Sequence, residues 1–325
     1  MEMGMVGLGR MGGNMVLRLM QRGHRMVAFD LSPEAVQRHA AQGAVGATSW
    51  EDFVKKFESK PRVMWIMVPA GDPTTQAINQ LIALGDPGDI IVDGGNTNWK
   101  IALDDCARVK AKGMHYMDAG VSGGIWGLEY GYSLMVGAEP DIYELCLPLL
   151  KDLAPDDGGL VHTGAEGSGH FVKMVHNGVE YGLMQAYAEG FQVMKMSRSF
   201  PGMDMHAIAE AWRSGSVVRS WLLDLIAQGL SKDPELSLIK GYVEDTGEGR
   251  WTVEAAIDES VPTPVIAESL FARFRSRMEN TFGDRMLAMM RAQFGGHAVV
   301  KDAVSEQSSS AEVPAPPARE SYPEQ

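Results

Sequence analysis

Gly7-Leu8-Gly9-Arg10-Met11-Gly12 lies between a short apolar run, residues 3–7, and an amphipathic stretch, residues 11–22, so a glycine-rich turn leads from a strand into a helix. The spacing is GxGxxG, and each glycine has a separate task. Gly7 permits the tight turn, Gly9 lets the backbone approach a pyrophosphate, and Gly12 lets the helix pack closely on the strand. Leu8, Arg10 and Met11 then border the same anion-facing turn, at a helix N-terminus whose dipole favours negative charge. Asp30 closes the next strand, eighteen residues beyond Gly12, near the distance at which an acid receives the adenosine ribose hydroxyls. A carboxylate there accepts hydrogen bonds from a free 2′-hydroxyl and repels a 2′-phosphate, and Leu31 and Ser32 follow it instead of an arginine. NAD is therefore the expected cofactor, ahead of NADP.

Outward from this turn the first half alternates apolar runs with helical stretches, the pattern of βαβ units and a parallel sheet. Strands are expected at 3–7, 25–30, 62–68, 90–93, 115–121, 133–136 and 160–163, with helices at 11–22, 32–42, 74–84, 99–111 and 140–153. Beyond Gly164 the periodicity becomes helical throughout. A long helix is expected over 169–199, followed by others at 203–213, 220–230, 251–259, 265–278 and 284–293. The expected fold class is an α/β Rossmann-type N-terminal domain, 1–165, followed by an all-α substrate and dimerisation domain, 166–300. Residues 301–325 are rich in Ser, Pro, Ala and Glu and read as a disordered tail.

Composition narrows the function classes. Twenty-nine basic against forty-two acidic residues give a net charge of −13, which argues against nucleic acid and anionic membrane surfaces as partners. Two cysteines, Cys106 and Cys146, form no CxxC and no cluster at metal-ligand spacing, so no metal is expected and a reducing compartment fits. No stretch approaches a transmembrane span, and the cytoplasm is the simplest location.

Three further stretches carry chemistry. Val68-Pro69-Ala70 follows a strand and suits the floor of a cofactor site, although the same residues suit a plain strand-ending proline. Asp93-Gly94-Gly95-Asn96 and Asp118-Ala119-Gly120-Val121-Ser122-Gly123-Gly124 each run from a strand into a turn that offers amides and a polar side chain, and each also fits an ordinary turn. Lys173, His176, Asn177, Glu180 and Tyr181 fall within an arc of about 140° at about 100° per residue on the long helix. That strip presents an amine, an imidazole, an amide, a carboxylate and a phenol, with Phe171, Val175 and Val179 expected on the opposite, apolar face.

The glycine turn, Gly94-Gly95-Asn96, Gly120 to Gly124 and the run from Gly169 to Gly182, HFVKMVHNGVEY between them, together resemble the decarboxylating 6-phosphogluconate dehydrogenases. Related β-hydroxyacid dehydrogenases share the first three motifs and the lysine and asparagine four apart, whereas His176 with Glu180-Tyr181 marks the phosphogluconate branch. The resemblance extends to residues 268–273 and 291–297, hence to nearly everything before the tail. It implies oxidative decarboxylation of 6-phosphogluconate to ribulose 5-phosphate in the pentose phosphate pathway and gluconate utilization, with Lys173 as general base and Glu180 as general acid. It places Asn96, Ser122, Gly123, Gly124, His176 and Asn177 around the sugar acid, Asn96 also beside the cofactor, and Tyr181 and Arg273 on the phosphate. Arg291 and His297 match residues that reach the neighbouring subunit's site, which implies a homodimer with shared active sites. The single all-α segment and Asp30-Leu31-Ser32 resemble the short, NAD-linked form. Two departures stand out: Thr246, near Arg250, replaces a phosphate-binding lysine of longer members, and Ile125-Trp126 replaces two glutamates.

Overall fold

The computed structural model describes residues 1–296 and 298–300; His297 and the stretch 301–325, read above as a tail, lie outside the described residues. The chain forms two compact units, Met1–Ser276 and Arg277–Gln325.

The first unit begins as the turn requires. Strand β1 (Glu2–Val6) enters the glycine turn, α1 (Arg10–Gln21) leaves it, and β2 (Arg25–Phe29) returns parallel to β1. Next come α2 (Pro33–Ala40), the two-residue β3 (Val45–Gly46), α3 (Trp50–Lys55), β4 (Val63–Ile66), α4 (Asp72–Leu84), β5 (Ile90–Asp93) and α5 (Trp99–Lys110). The sheet closes with β6 (His115–Ser122), a 3-10 turn at Gly124–Trp126, the one-turn α6 (Gly127–Tyr130), β7 (Ser133–Ala138), α7 (Pro140–Leu153) and β8 (Leu160–Gly164). The strand order is β3-β2-β1-β4-β5-β6-β7-β8. This contains the doubly wound order whose crevice, between β1 and β4, takes ligands at the carboxyl ends of the strands.

Both faces of the sheet are covered, so its strands read as continuous apolar runs and alternate between two cores. Val63 and Trp65 pack with Met15, Val16 and Leu19 of α1, whereas Met64 and Ile66 pack with Ile78 and Leu81 of α4 and Val109 of α5. The sheet departs from the parallel expectation at β7, which pairs antiparallel with β6 from Met117↔Ala138 to Ser122↔Ser133. The link between them holds only short turns of helix. A parallel return needs a crossover of a dozen or more residues, usually a full helix, and this link has no room for one. The elements β3 and α3 were not expected because so few residues show no period.

After β8 the chain is helical: α8 (Ser168–Lys195), α9 (Met205–Arg213), α10 (Trp221–Lys232), α11 (Glu248–Asp258) and α12 (Pro264–Ser276). Asp204 and Ser220 cap α9 and α10 by accepting backbone N–H bonds. Met205, Ala209, Leu223, Ala227 and Leu230 form a separate small core against Tyr187 and Phe191 of α8. The second unit contains α13 (Phe282–Gly295), capped by Thr281. No helix among the described residues is long and apolar enough to cross a membrane.

Helix α1 is tied down by Arg18, which is 5% exposed and donates to the carbonyls of Asp152 at 2.9 Å and Ala154 at 2.8 Å. Replacing it by methionine leaves those buried acceptors empty. The Arg18→Met variant should lose about 1–3 kcal/mol in urea unfolding, and a loss below about 0.5 kcal/mol would show that the tie is incidental.

Candidate active site

The carboxyl ends of β1, β4, β5 and β6 face the first half of α8 across a cavity of about 920 Å³. Its walls include Gly9, Arg10, Met11 and Gly12 from the first turn, Val68, Pro69 and Ala70 after β4, and Gly94, Gly95 and Asn96 after β5. Ser122, Gly123 and Gly124 come from the end of β6, and Lys173, His176, Asn177 and Glu180 from α8. Five separate stretches of chain thus converge.

The glycine turn is shaped for a dinucleotide. A Cβ on Gly12 would lie 2.0 Å from the Gly7 carbonyl oxygen, so only glycine lets α1 start so close to β1. A Cβ on Gly9 would meet nothing within 4 Å, which leaves the space that a pyrophosphate needs. Helix α1 has no side-chain cap and no acidic residue in its first turn, so its first N–H groups remain available to an anion. Gly7 and Leu8 lie beneath the turn and outside the cavity lining. Asp30 is also outside it, accepting the Leu8 N–H at 2.6 Å and the Ser32 N–H at 2.8 Å. Each oxygen of that carboxylate keeps a lone pair for a ribose hydroxyl. The donor set therefore fits NAD: amides for the diphosphate, Asp30 for the ribose, and Val68-Pro69-Ala70 with Met67 along the wall.

At the other end Lys173 is the decisive side chain. It is only 8% exposed, and its Nζ donates to Asn177 Oδ1 at 2.5 Å. Burial pushes the amine below its ordinary value, while the Glu180 and Glu248 carboxylates pull the other way. His176 Nδ1 lies 3.1 Å from the same Asn177 oxygen. That oxygen only accepts, so the contact places a proton on Nδ1 and leaves Nε2 to accept when the ring is neutral. At the end of β6, Gly123 at φ 138° and Gly124 at φ 55° occupy the left-handed region and swing the chain over the cavity.

The helical strip divides. Lys173, His176, Asn177 and Glu180 face the cavity, but Tyr181 turns inward, where a Cβ on Gly249 of α11 would be 2.5 Å from its ring. The Arg273 guanidinium stacks over the Tyr181 ring at 3.5 Å and donates to the Glu244 carbonyl at 2.8 Å. Thr246 approaches the same phenol, its N–H 3.4 Å from the Tyr181 hydroxyl oxygen, and Arg250 is engaged with Asp245 at 2.7 Å. Arg291 lies on α13 of the second unit. Phe171 packs on Trp99, as an apolar face requires, but Val179 lines the cavity. Sequence reasoning also missed Leu183, Trp221, Leu222 and Leu225 on the cavity wall, because an apolar residue at the start of α10 reads as core.

Residues 2–164 match the model of the NAD binding domain of 6-phosphogluconate dehydrogenase, and residues 169–311 match the model of that enzyme's C-terminal domain. The chain belongs to the 6-phosphogluconate dehydrogenase family. Within it, the chain is 41% identical to the NAD(+)-dependent, decarboxylating 6-phosphogluconate dehydrogenase of Haloferax volcanii, over 93% of this chain and 99% of that one. It is 36% identical to the Bacillus subtilis protein of the same name, covering 88% of this chain but 63% of the longer relative. The structure of Plasmodium falciparum 6-phosphogluconate dehydrogenase superposes with a TM-score of 0.79 at 26% identity, over 94% of this chain and 67% of that one. Mycobacterium tuberculosis 3-hydroxyisobutyrate dehydrogenase shares the fold, with a TM-score of 0.68 at 21% identity, over 90% and 99% of the two chains.

Two of the three glycines of the first turn, Gly9 and Gly12, are separable by experiment. Gly12→Ala should cost about 1–3 kcal/mol of stability through overpacking. Gly9→Ala should leave the unfolding midpoint unchanged and weaken NAD+ binding at least about tenfold, measured by fluorescence titration. Equal effects of the two on stability would contradict this division.

Proposed function

We propose that this chain converts 6-phospho-D-gluconate to D-ribulose 5-phosphate and carbon dioxide with reduction of NAD+. The observation that carries the reading is the buried Lys173 amine, held by Asn177 and sharing one cavity with Glu180 and the glycine turn. When bound, NAD+ accepts the hydride that leaves C3 of the substrate.

In this reading Lys173 takes the proton of the C3 hydroxyl, which requires a neutral amine, and its lowered pKa supports that role. The product is a β-keto acid. As carbon dioxide departs with the substrate's C1, the Lys173 ammonium stabilises the developing enediol oxyanion, and Glu180 then protonates the substrate's C2, which becomes C1 of ribulose 5-phosphate. Asn96, Ser122, Gly123, Gly124, His176 and Asn177 supply amide, hydroxyl and imidazole contacts for the sugar acid. Tyr181 and Arg273, stacked on one another beside Glu180, are assigned to the phosphate. Arg291 and His297 of a second copy complete that end of the site, so the active form is a homodimer. The buried free thiols of Cys106 and Cys146 suit a reducing cytoplasm.

NAD is preferred because Asp30 meets the ribose. The Haloferax volcanii relative, at 41% identity, is named NAD(+)-dependent, whereas a Bacillus subtilis relative at 34% is named NADP(+)-dependent. Initial rates with each cofactor decide the matter: kcat/KM for NAD+ should exceed that for NADP+, and the reverse order would remove the role given to Asp30. The same assay with unphosphorylated gluconate should show far weaker turnover, since the phosphate contacts are then lost.

Lys173→Met should retain NAD+ binding and lose about 10²–10⁴-fold in the rate of NADH formation. In the unaltered enzyme the rate should rise with pH as the amine deprotonates, and that rise should lie below the ordinary lysine range. Substantial turnover by the methionine variant would rule out Lys173 as the base.

A further inference from the structure

Behind the cavity wall, three stretches of backbone converge on one buried ionic cluster. Asp93 ends β5 just before Gly94-Gly95-Asn96, and Asp118 lies on β6 four residues before Ser122. The two aspartates are register partners on neighbouring parallel strands, so their carboxylates leave the sheet side by side on the same face. Both are 0% exposed. Adjacent buried carboxylates repel one another and have no water to screen them, so the pair requires a positive or donating partner.

His170 provides it. It lies one helical turn before Lys173 and is 2% exposed, with Nε2 3.2 Å from Asp93 Oδ2 in an ionic contact off the line of a hydrogen bond. Its backbone N–H donates to Asp118 Oδ2 at 2.7 Å, and the Gly167 N–H donates to Asp118 Oδ1 at 2.5 Å. Asp118 thus satisfies two of the unpaired N–H groups at the start of α8, where Gly167 offers no side-chain cap. Asp93 Oδ1 accepts the Gly95 N–H at 3.0 Å, and the Tyr116 hydroxyl donates to Asp93 Oδ2 at 3.2 Å. The groups acting on the His170 ring are Asp93 from β5, Asp118 from β6 and Asp105 of α5, itself paired with Arg108. Burial opposes a charged ring, yet the carboxylates outweigh it and raise the His170 pKa. Burial also opposes the Asp93 charge, but His170 and the Gly95 amide hold that carboxyl below its ordinary value, whereas at Asp118 burial prevails and raises it.

None of Asp93, Asp118 and His170 lines the cavity. We propose that the three are positioning residues for the reaction, holding the Asn96 turn, the strand that leads to Ser122–Gly124 and the Lys173 helix in one register. Asp93 meets α8 through its ionic contact with His170 and Asp118 through the His170 N–H bond, and each belongs to a strand that ends in a site turn, so a shift of any one stretch strains the other two. The inference rests on the roles given above to Lys173 and Asn96.

His170→Gln and Asp118→Asn keep the approximate size of each side chain and remove the charge. With kcat taken per NAD+-binding site, each should fall at least about tenfold while the Kd for NAD+ stays within about twofold. Asn96→Ala combined with His170→Gln should lose at least about threefold less than the product of the two single losses, because His170→Gln already displaces the Asn96 turn. Per-site kcat within twofold of the unaltered chain in both single variants, or losses that simply multiply, would overturn the proposal. So would loss of NAD+ binding in both, since the cluster would then hold the sheet and not the reacting groups. An unaltered chain without 6-phosphogluconate turnover would sink the functional reading as well, whereas turnover there with unchanged variants sinks this proposal alone.

Discussion

Helix α8 can bring the groups proposed to react to the cavity only because it meets the sheet backbone to backbone. A Cβ on Gly169 would lie 2.5 Å from the Met135 carbonyl oxygen and 2.6 Å from that of Asp118, and one on Gly137 would lie 2.7 Å from the Ala165 carbonyl oxygen. One turn further along, a Cβ on Gly120 would be 2.3 Å from Lys173 Cβ. With no side chains to separate them, the helix lies directly over β6 and β7, and Lys173 emerges where the strands end. Its amine is desolvated by the backbone it rests on, and that burial is what lowers its pKa. The placement of Lys173 thus depends on the absence of Cβ atoms in the strands and at the start of the helix.

The same economy explains how a chain of net charge −13 can suit anionic ligands. At the cofactor end the attraction comes from the unpaired N–H groups of α1, whose first turn contains no acid. At the proposed substrate end it would come from the glycine and serine turns, from Lys173 and from the cations assigned to the phosphate. Arg273, which the family resemblance places on the phosphate, is spread over the Tyr181 ring. Local dipoles and a few fixed charges at close range outweigh a diffuse acidic surface, which salt screens within about 10 Å.

The legible parts of the sequence were those whose signal is local. GxGxxG between a strand and a helix places the cofactor turn, and a proline-free run with helical spacing gives α8. The reversal at β7 was hidden, because alternation reports burial and not strand direction. Tyr181 shares the arc of Lys173, but a pocket made by Gly249 on another helix draws it away from the cavity. Trp221 was unreadable for the converse reason: its exposure to the cavity is set by where α10 lies, not by its neighbours in sequence. The Asp93–Asp118 pairing depends on strand register, which no spacing between residues 93 and 118 encodes.

On the proposed roles, the placement of Lys173 and Glu180 on one rigid helix constrains the order of proton transfers. Seven residues apart, the two groups are separated by roughly 10 Å along the axis, and their long side chains lean toward the cavity between them. Before reaction the amine must be neutral and the acid protonated; afterwards the lysine is an ammonium and the glutamate a carboxylate. Glu180 favours a charged Lys173, so each charge formed by the reaction stabilises the other. The charged pair is then reset by passing one proton from Lys173 to Glu180, with no net exchange with solvent. His176, its Nδ1 proton held by Asn177, keeps Nε2 to accept from a sugar hydroxyl without entering that exchange.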